Sequence, residues 1–509
     1  MKLYFQKYSP AVLIVFMLAG LQTTVQAQSW TFRYDRWENR VVRYLALSRG
    51  GAGLRLTEMP YTNQDLNLIH DQVKESGIPE RGVQFYSHLA QQILDRHKSG
   101  EEGQRFYLQW RNRVGYADPA LNTEKMRWES DVMGLVRITD NLSLYIDFQA
   151  DTDGLQDSDY HGYYEWKGEM VGNMRSAWMQ YQKKKWSLLI GREFVHWGPG
   201  ITGSLLTSGL APALDLIHFR IDLGPFRFQA FNSLLGRSSD EEERHQINRY
   251  FSGHRLSYRS GSWELGLHET VMYGGPQETV TAAYLNPLIP YYLTDVMQVQ
   301  EREDNITIAL DASHYFPGGR VYVQYAVDEY YYEGEHYPKR TALLVGGEWI
   351  NVLGWDKLWL MGEYVRADRW IYNYEALYPW NRLTYYNSHL GHPVGPDADL
   401  IHVEAQVFLS SSLLGKVVLQ WMRQGETEIT TSLYQQEQFE KHHPPFPHGR
   451  VERTFTPRMS LIYVPNARWR MNVNWAPVRV ENKDHMKGRE STEFRFQVRV
   501  EYVFDHVLR

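Results

Sequence analysis

The stretch from Asp368 to Asp399 holds the chain's densest set of side chains suited to molecular recognition: Trp370, Tyr372, Tyr374, Tyr378, Trp380, Tyr385 and Tyr386, then His389, His392, Asp397 and Asp399. Saccharide recognition needs aromatic faces for the apolar side of a sugar ring. It also needs carboxylates or imidazoles for the hydroxyls, because an unmatched polar group loses its hydration without return. Both kinds of group occur here. The same aromatics also suit an interfacial girdle, with Gly391, Pro393 and Pro396 stiffening a lid. A second unusual stretch, GREFVHWGPGITGSLLTSGLAP, runs from Gly191 to Pro212. Its Gly198, Pro199 and Gly200 force a turn with uncommon dihedrals, and Trp197 either packs that turn onto a wall or stands on it as a platform for a sugar ring. A third, AYLNPLIPYY from Ala283 to Tyr292, centres on Asn286 and Pro287, which an Asx-type turn explains without a ligand.

Catalytic readings find less support. His389 and His392 with Asp397 and Asp399, or His442, His443 and His448, have ligand chemistry, yet neither set has i,i+4 spacing or a fixed motif, so neither metal nor cofactor is expected. Cysteine is absent, which removes thiol chemistry, thiolate metal sites and disulfides. Ser204 and Ser208 lack a nucleophile-elbow pattern. Glu301, Glu303 and Asp304 read as a solvated loop rim, and the glycines of Ser48 to Gly53 lack the Gly-Lys-Ser/Thr of a phosphate loop, leaving a helix stop. No catalytic centre is expected. An esterase or phospholipase would need a Ser–His pair assembled from separate strands.

The elements that must position these loops show a period of two. Leu142, Leu144, Ile146 and Phe148 alternate with Ser143, Tyr145, Asp147 and Gln149; Ile306, Ile308 and Leu310 with Asn305, Thr307 and Asp311; Val321, Val323, Tyr325 and Val327 with Gln324 and Asp328; Trp469, Met471, Val473 and Trp475 with Arg470, Asn472 and Asn474. On the last strand Phe494, Phe496, Val498, Val500, Tyr502 and Phe504 oppose Arg495, Gln497, Arg499 and Glu501. An Arg facing lipid near the midplane costs about 2–4 kcal/mol, so the charged row must face a polar interior. About eighteen such strands are expected, joined alternately by tight turns and long loops. The turns fall at Asp140-Asn141, Lys183 to Lys185, Gly224-Pro225, Ser260-Gly261, Pro317 to Gly319, Asn351 to Asp356, Ser410 to Gly415 and Pro465 to Arg468. The loops run from Ala117 to Lys125, Thr152 to Gly172, Phe194 to Leu214, Leu234 to Ser252, Tyr273 to Glu303, Tyr331 to Lys339, Asp368 to Asp397, Gly425 to Val451 and Arg479 to Ser491. The pattern predicts an all-β transmembrane β-barrel of antiparallel strands, turns periplasmic and loops extracellular.

Composition agrees. Lys2, Lys7, an apolar run from Ala11 to Leu21 and the small-residue site Val25-Gln26-Ala27 predict a signal peptide over residues 1–27. Beyond it no run approaches the roughly 20 apolar residues of a membrane helix, and the mean hydropathy is −0.51. Loss of Lys2 and Lys7 takes the formal charge from −6 to −8, which gives no support to nucleic-acid binding. Residues 28–104 carry a different signal. Trp37, Val41, Tyr44 and Leu45 predict a helix ending at Gly50-Gly51, and Leu66, Ile69 and Val73 a second, capped by Thr62. Phe85, Leu89 and Ile93 beside Tyr86, Ala90 and Leu94 predict a third. So short a segment buries only a marginal core alone and is expected to plug the mouth of the barrel formed by residues 105–509.

The WGPG stretch, followed by Ser204, Leu205, Leu206 and Pro212, resembles the signature of the Wzi family of capsule-assembly outer-membrane proteins. AYLNPLIPYY and LGHPVGPDADL (390–400) resemble the broader family, and the resemblance covers nearly the whole mature chain. It implies a plugged barrel that retains capsular polysaccharide at the cell surface as a non-catalytic, lectin-like element; outer-membrane lipid, the barrel-assembly machinery during insertion and a monomeric state are the further expectations for a chain of this kind. A carbohydrate-permeable porin is the alternative, with the same strands around an open lumen. Two departures stand out. WGPG follows His196, and the terminal aromatic lies early, at Phe504, with Asp505 to Arg509 after it, so assembly would rely on an internal signal.

Overall fold

The computed structural model describes residues 37–48, 53–61, 65, 85–86, 106–117, 126–152, 154, 163–165, 170–239, 246–276, 278–297, 304–329, 340–374, 378–386, 388–431 and 445–508. Eighteen antiparallel strands, from Phe106–Ala117 to Glu490–Leu508, form one closed barrel. Each strand pairs with the next, and the last closes on the first in the register Phe106↔Leu508 through Ala117↔Gln497. Closure leaves no sheet edge for lipid to meet.

Alternation sets the two surfaces. Leu144 and Ile146 are exposed while Ser143, Tyr145 and Asp147 are buried, and Val321, Val323 and Tyr325 are exposed while Gln324 is fully buried. Apolar outside and polar inside is the inverse of a soluble fold, and it defines a transmembrane barrel. Tight turns fall where the Gly, Pro and Asn signals place them. Two long connections are shorter than expected, because strands Phe226–Ser239 and Gln246–Ser260 continue through Leu234 to Ser252, and strands Trp469–Glu481 and Glu490–Leu508 through part of Arg479 to Ser491. Past the lipid band pairing needs no apolar face, so Arg237↔Asn248 and Glu481↔Glu490 extend the ladders with polar pairs that alternation cannot flag. The final strand likewise continues past Phe504 to Leu508.

The lumen is occupied from the short-turn end. The helix Trp37–Leu47 forms where its spacing predicts, and its side chains engage inward-facing groups. Glu38 pairs with Arg111 and Arg40 with Glu404, while Arg43 Nη2 donates to Glu348 at 2.8 Å. The Tyr44 ring lies 5.3 Å from both Trp359 and Phe408, beside the turns that follow Ile350 and Phe408. Further along, Glu58 meets Arg227 at 3.0 Å and Arg255 at 3.3 Å, and Asp65 meets Arg220 at 2.9 Å. Phe85 and Tyr86 are helical and buried, with Tyr86 Oη 3.0 Å from Gln406. The rest of the second and third expected helices, the 1–27 segment, His442 and His443 lie outside the described residues.

Candidate functional site

The WGPG turn also lies in the lumen. The two-residue strand His196–Trp197 pairs antiparallel with Glu58–Met59, and Gly198 N–H donates to the Thr57 carbonyl at 2.8 Å. Gly198 has φ +147°, and a Cβ there would come within 2.7 Å of the Gln324 amide, so glycine is required. The Pro199 carbonyl accepts from Arg320 Nη2 at 2.8 Å. Glu363 accepts the N–H groups of Ile201 and Thr202 at 2.7 and 2.9 Å, the Tyr322 hydroxyl at 2.9 Å, and the Thr202 hydroxyl. His196 clasps the turn: its Nε2 lies 3.0 Å from the Gly198 carbonyl while its Nδ1 accepts Gly209 N–H at 3.1 Å, and burial pushes its pKa down to about 3. The departure at His196 thus has a structural use. Trp197 is fully buried against Phe231 at 5.1 Å and offers no open face to a sugar, so of its two roles it fills the packing one.

Above this turn, the connection between strands Leu358–Ala367 and Ala398–Phe408 folds back over the mouth as a lid. Trp370, Tyr372 and Tyr385 are buried beneath it. Tyr372, with φ +73°, takes Leu383 N–H on its carbonyl at 3.0 Å. Gly391 packs so tightly that a Cβ would sit 2.6 Å from the Leu205 carbonyl. His392, also buried, lies 3.0 Å from the Thr202 hydroxyl and bolts lid to lumenal turn; burial pushes its pKa down to about 3 and also lowers that of His389. Asp397 is buried and accepts His448 N–H at 2.8 Å and Thr427 N–H at 3.2 Å, tying the lid to the next loop, with burial raising its pKa. Asp399 forms a two-point pair with Arg423 at 2.9 and 2.5 Å. Arg249, unmarked by any motif, donates to the carbonyls of Trp380, Arg382 and Thr384 at 2.7 to 2.9 Å and fixes the lid to the barrel wall.

The candidate recognition residues therefore divide. Trp370, Tyr372, Tyr385, His392 and Asp397 build the lid from within, because a loop of this length holds one shape only by burying its own aromatics and satisfying its polar groups, while Asp399 belongs to the barrel wall beside it. Exposed or half-exposed on it are Tyr378, Trp380, Tyr386, His389 and Pro393. Tyr378 and Trp380 meet edge to face at 5.8 Å, and Tyr386 lies 4.3 Å from Tyr385. The rim pair Arg192–Asp215, at 2.6 Å, is close enough to Tyr386 to interact electrostatically. Asn286 and Pro287 lie apart from the lid; Asn286 Oδ1 accepts Leu288 N–H at 3.1 Å, an Asx turn. Among the described residues no three His, Asp or Glu converge as a metal site. The bolts Glu363, Gln324 and Arg320 were not singled out by sequence; their only signal is an inward polar position on a strand.

A closed transmembrane barrel with a filled lumen and a lidded mouth is the class this geometry defines. The family model for the capsule assembly protein Wzi matches residues 83–493, and the chain belongs to that family. Among solved structures, the Escherichia coli Wzi, an outer-membrane protein involved in group 1 capsule assembly and described as a carbohydrate-binding β-barrel, superposes with a TM-score of 0.60 at 14% identity, covering 94% of this chain and 100% of that one. More distant are opdK of Pseudomonas aeruginosa (TM-score 0.46, 11% identity, 80% of this chain and 100% of that) and OccAB2 of Acinetobacter baumannii (0.45, 9%, 79% and 98%). No curated protein matches the sequence.

Proposed function

We propose that this chain binds capsular or a related surface polysaccharide on the extracellular face of its lid, as a lectin-like, non-catalytic monomer of the outer membrane, inserted by the barrel-assembly machinery. Membership of a capsule-assembly family supports the substrate class, and the E. coli structure's description as carbohydrate binding points the same way. The observation that carries the site is the set of exposed Tyr386 and half-exposed Tyr378, Trp380 and His389, held on a lid whose interior is locked by buried hydrogen bonds. Rings fixed in advance lose little freedom on binding, which suits stacking against a sugar face. A retained polymer needs a grip, and no step of the proposal breaks a bond.

The test is equilibrium binding of purified mature protein to capsular polysaccharides, with Trp380→Ala and Tyr386→Ala. Loss of one stacking partner should weaken binding about tenfold, or about 1.4 kcal/mol, with the barrel's thermal unfolding unchanged because Tyr386 is exposed and Trp380 half-exposed, both outside the barrel's strands. Full affinity in the double variant would move the site off the lid.

A further inference from the structure

The Asn-Pro loop does not join the lid. On strand Trp263–Pro276 the outward row begins Trp263, Leu265, Leu267, all exposed, and then reaches Glu269, which is buried. Glu269 is cross-strand to His254, with Oε2 3.1 Å from His254 Nε2. At a rise of about 3.4 Å per residue and a tilt of about 40°, Glu269 stands only about 15 Å above Trp263, inside an apolar band about 25 Å tall. Strand Trp469–Glu481 calibrates the level: its outward row stays apolar from Trp469 to Pro477, a span that on the other strand ends at Val271, beyond Glu269. A carboxylate and an imidazole thus sit on the outer wall at lipid depth, where a bare polar pair is unfavourable.

The loop covers them. The segment Ala282–Leu285 and the helix Tyr291–Met297 lie on the outside of the barrel. Tyr291 and Tyr292 N–H groups donate to the two Glu269 oxygens at 2.7 and 2.8 Å, and the Tyr291 ring lies 4.4 Å from His254. Tyr284 and Tyr291 pack with Tyr250, Val271, Tyr273 and Ile306 as a second apolar cluster, separate from the lumenal one. Ile306 is buried for this reason although its strand neighbours Ile308 and Leu310 are exposed. The loop's far side is apolar too: Leu285, Ile289, Tyr292 and Leu293 are exposed, and Leu288 is 80% exposed.

We propose that this loop is a membrane-embedded element whose outer side contacts the acyl chains of the outer leaflet. Its exposed residues continue the belt formed by Leu267, Ile308 and Leu310, so the surface that meets lipid below the loop is the one that meets it on the loop. The loop replaces a polar patch of wall with an apolar one and adds a lipid anchor on the outer face of strands that hold the lid from within through Arg249 and Asn305.

The chain's lack of cysteine allows single-site spin labelling of the full mature protein in proteoliposomes. Labels at Leu288→Cys and Leu293→Cys should show the high oxygen and low nickel-chelate accessibility of a label at Leu267→Cys, a wall position, and differ from one at Lys487→Cys on an exposed loop. Accessibility matching Lys487 would overturn the proposal. So would label-to-label dipolar coupling at Leu288 at high lipid-to-protein ratio, which would make a second copy the occupant. As a check on loop integrity, Glu269→Gln keeps one acceptor and should leave both labels lipid-exposed, whereas Glu269→Ala should raise nickel-chelate accessibility at Leu293.

Discussion

Gly203 sits where the lumenal turn meets the lid, with φ +151°, and a Cβ there would fall 2.7 Å from Pro393 Cδ and 2.8 Å from His392 Cδ2. Gly203→Ala should therefore separate lid from turn at a cost of about 1–3 kcal/mol without unfolding the barrel. Hydrogen-exchange protection should fall at residues 390–394 and persist in the strands. The same junction is sensitive to acid. His392 and His196 have folded pKa values of about 3 because burial disfavours their charged form, while an unfolded imidazole titrates near 6.5. With the folded value below the unfolded one, the open form binds more protons between those limits. The closed junction is fully stable above about pH 6.5 and loses stability as pH falls toward 3. Lid protection factors, which remove the intrinsic pH dependence of exchange, should drop between pH 7 and pH 5, and His392→Gln should flatten part of that slope. An unchanged slope would place the titration elsewhere.

At the scale of elements, the lumenal segment 53–61 depends on charges that only the assembled barrel brings together. Burial alone would raise the Glu58 pKa, but Arg227, Arg255 and Arg55 hold it at about 2. A folded value below the unfolded carboxylate range makes this contribution present above about pH 4.5 and lost as pH falls toward 2. Glu58→Ala should leave Arg227 and Arg255 buried without that partner and loosen the segment by about 3–5 kcal/mol, seen as faster exchange in residues 37–47 and 53–61 while the strands stay protected. Such pairings also mark what sequence could and could not reveal. Period-two rows fixed the strands from Leu142 to Phe504 because the lipid on one face and the filled lumen on the other act on every residue. Trp37, Val41, Tyr44 and Leu45 revealed the helix in the same way. Nothing local reveals that Glu58 meets Arg227 and Arg255, that Glu363 holds the turn after WGPG, or that Glu269 is hidden under the Asn-Pro loop. Each partner lies tens to hundreds of residues away, and an inward polar residue reads alike whether it faces water or a bolt. The lid shows the same limit: a cluster of aromatics signals recognition, yet most of them serve to hold the lid's own shape.

For the whole molecule the question is what can pass through it. An open barrel of this strand number would leave an aqueous channel, but here the helix Trp37–Leu47, the WGPG turn and the lid lie along the axis. Among the described residues, a cavity of about 280 Å³ lies beside the helix, bounded by Trp37 and Arg40 and by strands Ala398–Phe408, Leu413–Gln424, Glu452–Asn466, Trp469–Glu481, Glu490–Leu508 and Phe106–Ala117. Among the described residues Arg40, Arg111, Arg113, Lys416, Arg470 and Arg499 line it, with Glu501 as the one carboxylate. Two consequences follow for planar bilayers. The full mature protein should lack the steady current of an open eighteen-stranded porin, since the lumenal segments are anchored to strands from Leu214–Leu223 round to Ala398–Phe408 and to Phe106–Ala117. Combining Glu58→Ala with Arg43→Ala removes anchors on both sides, at Arg227 and Arg255 and at Glu348, and should produce brief openings. Those openings should favour anions, because an ion skirting the loosened segment passes the arginine-rich wall and a fixed cationic lining raises the local concentration of counter-ions. The reversal potential under a potassium chloride gradient gives the sign directly. A cation-selective current would mean that the acidic partners of these arginines, such as Glu404 and Asp131, dominate the lining, and a steady current from the unmodified protein would mean that the lumen conducts despite its contents.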